Sequence, residues 1–246
     1  MRIGVIQTGN VRGELSARFG EYPPMFAALL GSAAPEASFE TVALINGAPL
    51  PAPDSCDAWL VTGSRHGVYD PEPWIAPLKT FLRAARSTGR PIVGVCFGHQ
   101  ILAEAFGGRA VQHDGGWRLG VHRFEAACAP GWAGLTGPLA LHSVHQDQVV
   151  AIPEDATVWL RSPGCDYAGL LYGDPEAPDA ISVQPHPEFG PDFAAALIAH
   201  LRDAGRVDAA LGDRALASIG GPVDNAAVAA AFAGYLRRRG AAREAA

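Results

Sequence analysis

Between Pro91 and Phe106 the chain runs from a short apolar stretch, Ile92-Val93-Gly94-Val95, through Cys96-Phe97-Gly98 into an amphipathic segment from Ile101 to Phe106. That order reads as strand, sharp turn, helix. It is the layout that holds a nucleophile on a tight elbow at the carboxyl end of a sheet strand. Gly94 and Gly98 flank the cysteine two positions to either side, where side chains would crowd a strained backbone and keep the helix off the strand. Cys96 would also stand at a helix N-terminus, whose unpaired N–H groups favour the attacking thiolate. Alone, the pattern also suits a packing cysteine on a core strand, since free cysteines are among the most buried residues.

The rest of the chain supplies the frame for such an elbow. Its 246 residues suffice for one sizeable domain. Strands are predicted near residues 3–7, 39–45, 58–61 and 92–95, with a helix from about Pro24 and a long one opened by Pro71 and Pro73. Trp74, Leu78, Phe81, Leu82 and Ala85 fall at helical spacing as a core stripe. Beyond Gly107-Gly108 the texture changes to short β-like runs, 109–112, 121–124, 139–141, 158–160 and 169–172. A further strand, 180–184, precedes a helix starting at 190–192. After about 206 an Ala- and Arg-rich tail reads as two helices split by Gly220-Gly221-Pro222, with Asp224 as an N-cap. The expected fold is α/β: a doubly wound, mostly parallel, flavodoxin-like sheet with a small antiparallel extension and a helical C-terminal tail. Residues 1–205 are expected to form the domain, and 206–246 an extension rather than an independent one.

Charge and cysteine usage narrow the function classes. A net charge of −6 argues against a nucleic-acid surface. The one basic run, Arg237-Arg238-Arg239, is expected to complement the last turn of a helix. Cys56, Cys96, Cys128 and Cys165 are widely spaced without a CxxC pair, which speaks against a disulfide framework or structural zinc and for a reducing compartment. With no leader-like N-terminus and no apolar span of transmembrane length, a cytoplasmic protein without membrane or nucleic-acid partners is expected. No cofactor and no metal is called for. His142, His145 and Asp147 are better read as a hydrogen-bonded loop than as metal ligands.

Three strand ends carry candidate chemistry: Thr62-Gly63-Ser64, Cys96 and His186. His186 and Glu188 are separated by one residue, so in an extended segment both side chains point the same way. Glu188 can then orient His186, and His186 can deprotonate Cys96, the logic of nucleophile, base and carboxylate. The N–H of Phe97 and a second N–H near Gly63 offer an oxyanion site.

With these residues the chain resembles the class I (triad) glutamine amidotransferases. Gly94-Val95-Cys96-Phe97-Gly98-His99-Gln100 is similar to their G-x-C-x-G-x-Q signature, and Gln184-Pro185-His186-Pro187-Glu188-Phe189 to their second signature, H-P-E followed by an aromatic. Thr62-Gly63-Ser64 with Gly67-Val68-Tyr69-Asp70 resembles their oxyanion loop, Ser64 replacing proline and an extra residue lying around Arg65-His66. The likeness covers roughly residues 3–200. It implies Cys96 as nucleophile, His186 as base and acid, Glu188 as its orienter, Gly63 and Phe97 as oxyanion donors and Gln100 as a contact to the bound glutamyl group. Val144-His145-Gln146-Asp147 stands where many members have S-H-x-D, which places His145 at the substrate pocket.

The stretch after about residue 200 is too short for a synthetase domain, so the likeness is to stand-alone members similar to the amidotransferase part of GMP synthase, a set that includes γ-glutamyl peptidases. The implied substrate is glutamine or another γ-glutamyl small molecule. The leaving group is either ammonia, passed to a separately encoded synthetase, or an amine released by independent hydrolysis. A non-catalytic regulatory or binding member of the fold, or another cysteine hydrolase on the same sheet, are the competing readings.

Overall fold

A computed structural model describes residues 1–135 and 137–244. The first half of the chain contains β1 (Arg2–Ile6), α1 (Gly13–Phe19), α2 (Tyr22–Ala33), β2 (Ser38–Val42), β3 (Ala58–Val61), α3 (Ile75–Ser87), β4 (Ile92–Val95) and α4 (Phe97–Ala105). The second half contains β5 (Arg109–Gln112), β6 (Arg118–Ala126), β7 (Leu139–His145), β8 (Asp147–Ala151), β9 (Ala156–Ser162), β10 (Cys165–Tyr172), β11 (Ala180–Val183), α5 (Pro191–Asp203), α6 (Ala209–Ser218) and α7 (Asn225–Glu244).

Among the described residues the main sheet has nine strands in the order β2-β1-β3-β4-β11-β10-β9-β6-β7, and β5 pairs with β8 in a separate ribbon. From β2 to β11 every pairing is parallel. From β11 outward to β7 every pairing is antiparallel. The architecture is the doubly wound, flavodoxin-like one, its antiparallel wing reaching four strands. Strand alternation assigns the two faces. Leu60, Val93 and Ile181 pack toward α2 and α7, whose Phe26, Leu30, Phe232 and Tyr235 share their cluster. Trp59, Val61 and Ile92 pack toward α3 and α4, with Leu78, Leu82, Ile101 and Leu102.

The tail helix is therefore built into the main core. Tyr235 is fully buried; its hydroxyl donates to the Asp179 carbonyl at 2.7 Å and accepts from Ile92 N–H at 3.2 Å. The arginine run pairs with the body of the protein instead of a helix end: Arg237 Nε meets Glu36 at 2.7 Å and Arg239 meets Asp179 at 3.2 Å. Asp224 stands before α7 as expected, and its carboxylate accepts from Ala140 N–H at 2.7 Å, tying the helix start to β7. α5 and α6 cover the wing, Phe193, Ile198 and Ala215 clustering with Leu119 of β6.

The strand-to-helix step at β4 and α4 is closely packed because two glycines permit it. A β-carbon on Gly94 would collide with the Gly98 carbonyl and the Leu102 side chain, and one on Gly98 with the Val61 carbonyl. The expected result for Gly94→Ala is a loss of about 1–3 kcal/mol of stability, read as a lower urea midpoint.

Candidate active site

The loops that leave the carboxyl ends of β1, β3, β4 and β11 meet at one sheet edge, beside the point where strand order reverses between β1 and β3. Thr8 joins the first two: its N–H donates to Thr62 Oγ1 at 3.1 Å, and its hydroxyl to the Thr62 carbonyl at 2.9 Å. Cys96 occupies the elbow with φ 55° and ψ −105° and, among the described residues, is the one non-glycine with positive φ. Such strain persists only where surrounding structure imposes it. Here the Cys96 N–H donates to the Val183 carbonyl at 2.9 Å, and its carbonyl accepts from Gln100 N–H at 3.0 Å. Neighbouring β11 and the first turn of α4 thus pin the cysteine from both sides.

His186 arrives from the turn after β11, braced by the antiparallel wing. Its N–H donates to the His142 carbonyl at 2.8 Å. The Phe189 carbonyl, closing the same turn, accepts from His142 Nδ1 at 3.1 Å and from Asn225 at the start of α7 at 2.9 Å. The imidazole stacks on the Phe189 ring, centroids 4.0 Å apart and planes nearly parallel. Glu188 Oε1 sits 2.7 Å from His186 Nδ1, and both side chains are buried. Nδ1 therefore carries the hydrogen that Glu188 accepts, and Nε2 is free to face other groups.

Burial weighs most against a charged His186, but attraction to Glu188 and Cys96 and hydrogen bonds to both outweigh it, raising its pKa from 6.5 to about 10. A folded value above the unfolded one stabilises the fold fully below about pH 6.5, and this contribution disappears as pH rises to 10. The urea midpoint is accordingly expected to fall across that window, and to fall less in His186→Gln.

Gly63 lies against both groups: a β-carbon there would be 3.2 Å from His186 Cε1 and 3.8 Å from Cys96 Cβ. Its carbonyl accepts from the Thr8 and Thr62 hydroxyls at 3.3 and 3.1 Å, which fixes the backbone at this spot. Gly63→Ala is expected to displace the imidazole by a few tenths of an ångström and to cost on the order of tenfold in turnover, with little change in the urea midpoint. Phe97 opens α4, so its N–H belongs to the first turn that lacks intrahelical acceptors. Its ring is buried against Trp74, 5.5 Å between centroids, so Trp74 serves the elbow and is only partly in the core stripe.

The cleft above Cys96 has a volume of about 330 Å³ and is lined by Gln100 and His145 as well as by Tyr69 and Asp147. Gln100 Nε2 is already spent, donating to the Asp147 carbonyl at 2.9 Å and to Gln184 Oε1 at 3.1 Å, which leaves the amide oxygen as its remaining hydrogen-bonding atom. His145 is buried, and burial is the main reason its pKa falls to about 3. Its neutral ring donates from Nδ1 to the Asp147 carbonyl at 3.1 Å. Tyr69 donates to Asp147 Oδ2 at 2.8 Å across the cleft wall.

All seven residues singled out in the sequence thus line one edge: Cys96, His186, Glu188, Gly63, Phe97, Gln100 and His145. Sequence reasoning placed Gln184 in the second signature but gave it no role, whereas it positions Gln100, and it missed the arginines at the cleft mouth, Arg12, Arg65 and Arg206. A signal for Gln184 existed in its place directly before Pro185-His186, but the arginines come from three separate loops with no common motif. Glu104, outside the site, pairs with Lys79 at 3.1 Å. Among the described residues no group of three His, Cys, Asp or Glu side chains is placed to hold a metal ion, and no helix is long and apolar enough to cross a membrane.

A strained cysteine on a strand-to-helix elbow, with a carboxylate-held histidine beside it on a doubly wound sheet, defines a class of nucleophile-elbow proteins. The sequence model of the family Glutamine amidotransferase class-I matches residues 53–199, more than half of the chain, and the chain belongs to that family. It is 27% identical over 146 residues to gamma-glutamyl peptidase 5 of Arabidopsis thaliana, covering 57% of each chain. It is 32% identical over 109 residues to one of the subunits of the glutamine-hydrolyzing GMP synthase of Methanopyrus kandleri, covering 42% of this chain and 57% of the relative. The chain thus spans little more than half the length of these curated relatives. In fold it is similar to a glutamine amidotransferase of Thermotoga maritima, with a TM-score of 0.74, 18% identity and 97% of both chains covered.

Proposed function

We propose that the protein cleaves the γ-amide bond of glutamine or a related γ-glutamyl compound through a thioester on Cys96, releasing ammonia or an amine and then glutamate. The observation that carries this reading is the placement of the strained Cys96 beside His186, itself held by Glu188 at 2.7 Å, in one cleft.

In this reading the Cys96 sulfur attacks the side-chain carbonyl carbon, forming a C–S bond as the carbonyl π electrons move to oxygen. The N–H groups of Phe97 and of the Gly63 segment receive the resulting oxyanion. Protonated His186 gives its proton to the amide nitrogen as the C–N bond breaks, and ammonia or amine departs. Neutral His186 then takes a proton from water as the water oxygen attacks the thioester. Collapse breaks the C–S bond, returns the electron pair to Cys96 and frees glutamate. Gln100, through its remaining amide oxygen, accepts from the substrate's α-ammonium, and His145 shapes the pocket wall beside it.

Two versions of the reading differ in the leaving group. A stand-alone hydrolase acts on glutamine or γ-glutamyl peptides unaided. A synthetase-coupled protein transfers ammonia to a separately encoded partner. Assaying the purified protein with glutamine and with γ-glutamyl dipeptides separates them. Turnover of either supports the first version, and turnover that begins only when a synthetase is added supports the second. No turnover under any of these conditions would favour a binding member of the fold.

A further inference from the structure

The mouth of the Cys96 cleft carries three arginines in an otherwise acidic protein. Arg12 follows β1, Arg65 lies in the loop after β3, and Arg206 follows α5; all three line the cleft that also contains Cys96 and Gln100. Among the described residues none of the three forms an ion pair with a carboxylate, and Arg65 Nε makes one long contact, 3.4 Å, with His66 Nε2. The guanidiniums sense one another: Arg12 has a lowered pKa, from partial burial first and then from Arg65 and Arg206.

Two carboxylates share the cleft, but both are engaged elsewhere. Asp70 accepts from Gly67 N–H at 3.0 Å and contacts His66 Nδ1 at 3.2 Å. Asp147 accepts from the Tyr69 hydroxyl at 2.8 Å. The cleft lining therefore sets three arginines against two carboxylates, an excess of one positive charge, and among the described residues none of the guanidiniums is held in an ion pair. All three side chains are exposed, so their guanidiniums are free to reach a ligand, and their summed field favours an anionic group at the cleft mouth.

Free glutamine supplies little. Its α-carboxylate is matched by its own α-ammonium, and its leaving group is neutral ammonia. A γ-glutamyl amino acid has a second carboxylate, on the leaving amine, and an overall negative charge. Guanidiniums bind such groups through paired, charge-assisted hydrogen bonds. The cleft volume of about 330 Å³ lies at the small end of ligand sites, suited to a dipeptide.

Resting on the reading of Cys96 as a γ-glutamyl nucleophile, we infer that the preferred substrate bears a carboxylate on its leaving amine, and that Arg12, Arg65 and Arg206 recognise it. The substrate class is γ-glutamyl amino acids and short γ-glutamyl peptides, not glutamine or simple γ-glutamyl amides. Water splits the C–N bond through the thioester, and the released amine leaves as a free amino acid.

The test compares γ-glutamylglycine with γ-glutamylmethylamide, which differ by the carboxylate, using the full chain. For the unaltered protein kcat/KM is expected to be at least about tenfold higher for γ-glutamylglycine. In Arg12→Gln, Arg65→Gln and Arg206→Gln that ratio is expected to fall toward one, through KM rather than kcat. Equal rates on both substrates, or a ratio untouched by all three substitutions, would overturn the inference while leaving the γ-glutamyl reading intact. Calorimetry on Cys96→Ala covers the case of no turnover. Tighter binding of γ-glutamylglycine than of the methylamide would then uphold the arginine assignment and remove the catalytic one. Absence of both turnover and binding overturns both.

Discussion

Cys96→Ala is expected to reduce turnover of any γ-glutamyl amide by about ten-thousand-fold or more, with the fold unchanged. The size of the effect follows from the role. Without sulfur no thioester forms, and the oxyanion donors and His186 can only assist a poorly placed water. The same residue offers an internal control for the strain on the elbow. Glycine tolerates φ 55° without the clash that a β-carbon makes. Cys96→Gly should therefore be equally inactive yet more stable than Cys96→Ala by about 1 kcal/mol, measured by urea denaturation. A Cys96→Gly protein no more stable than Cys96→Ala would mean that the elbow stores no strain.

Glu188→Gln is the second large effect. The substitution keeps the shape of the side chain and removes the charge that faces His186 at 2.7 Å. Two consequences follow. The histidine loses a main cause of its elevated pKa, so its proton is held less firmly at alkaline pH. An amide can also present its NH2 group to Nδ1, which moves the ring hydrogen to Nε2 and turns a base into a donor. A loss of turnover on the order of a hundred- to ten-thousand-fold is expected. The alkaline limb of the pH–rate profile, set by His186 near pH 10 in the unaltered protein, should move to lower pH. A loss of activity with the limb unmoved would make Glu188 a packing residue. The second carboxylate oxygen is buried without a protein hydrogen-bond partner among the described residues, so removing it sacrifices no other contact.

The parts of this protein that are legible in its sequence are those where burial is complete on both faces. β3 and β4 coincide with their apolar runs, Ala58–Val61 and Ile92–Val95, because every residue in them is buried. α1 is invisible for the opposite reason: none of its residues is fully buried, and its apolar pair, Leu15 and Phe19, is only partly covered. β8 was also hidden, since Asp147-Gln148-Val149-Val150-Ala151 pairs only with β5 in a two-stranded ribbon and buries few side chains. β6 and β9 extend beyond their apolar centres because ladder hydrogen bonds carry partly exposed residues along.

The candidate site divides in the same way. Cys96, His186 and Glu188 are legible because local backbone chemistry demands particular neighbours: glycines around the elbow, and alternation in the His186–Glu188 segment. Arg12, Arg65 and Arg206 follow no such rule. They are brought together by the sheet topology, which was not deducible from spacing. Ser182 of β11 and His99 of α4, 2.8 Å apart, belong to the same group; burial keeps His99 neutral and pushes its pKa down to about 3.

The proposed reaction rests on a covalent bond between the Cys96 sulfur and the side-chain carbonyl carbon of a glutamyl substrate. It is tested most directly by treating the protein with an electrophilic glutamine analogue and locating the adduct by peptide mass spectrometry. The expected result is a single label on Cys96, prevented by excess γ-glutamylglycine and absent from Cys96→Ala. A label on Cys56, Cys128 or Cys165 with Cys96 unmodified would contradict it.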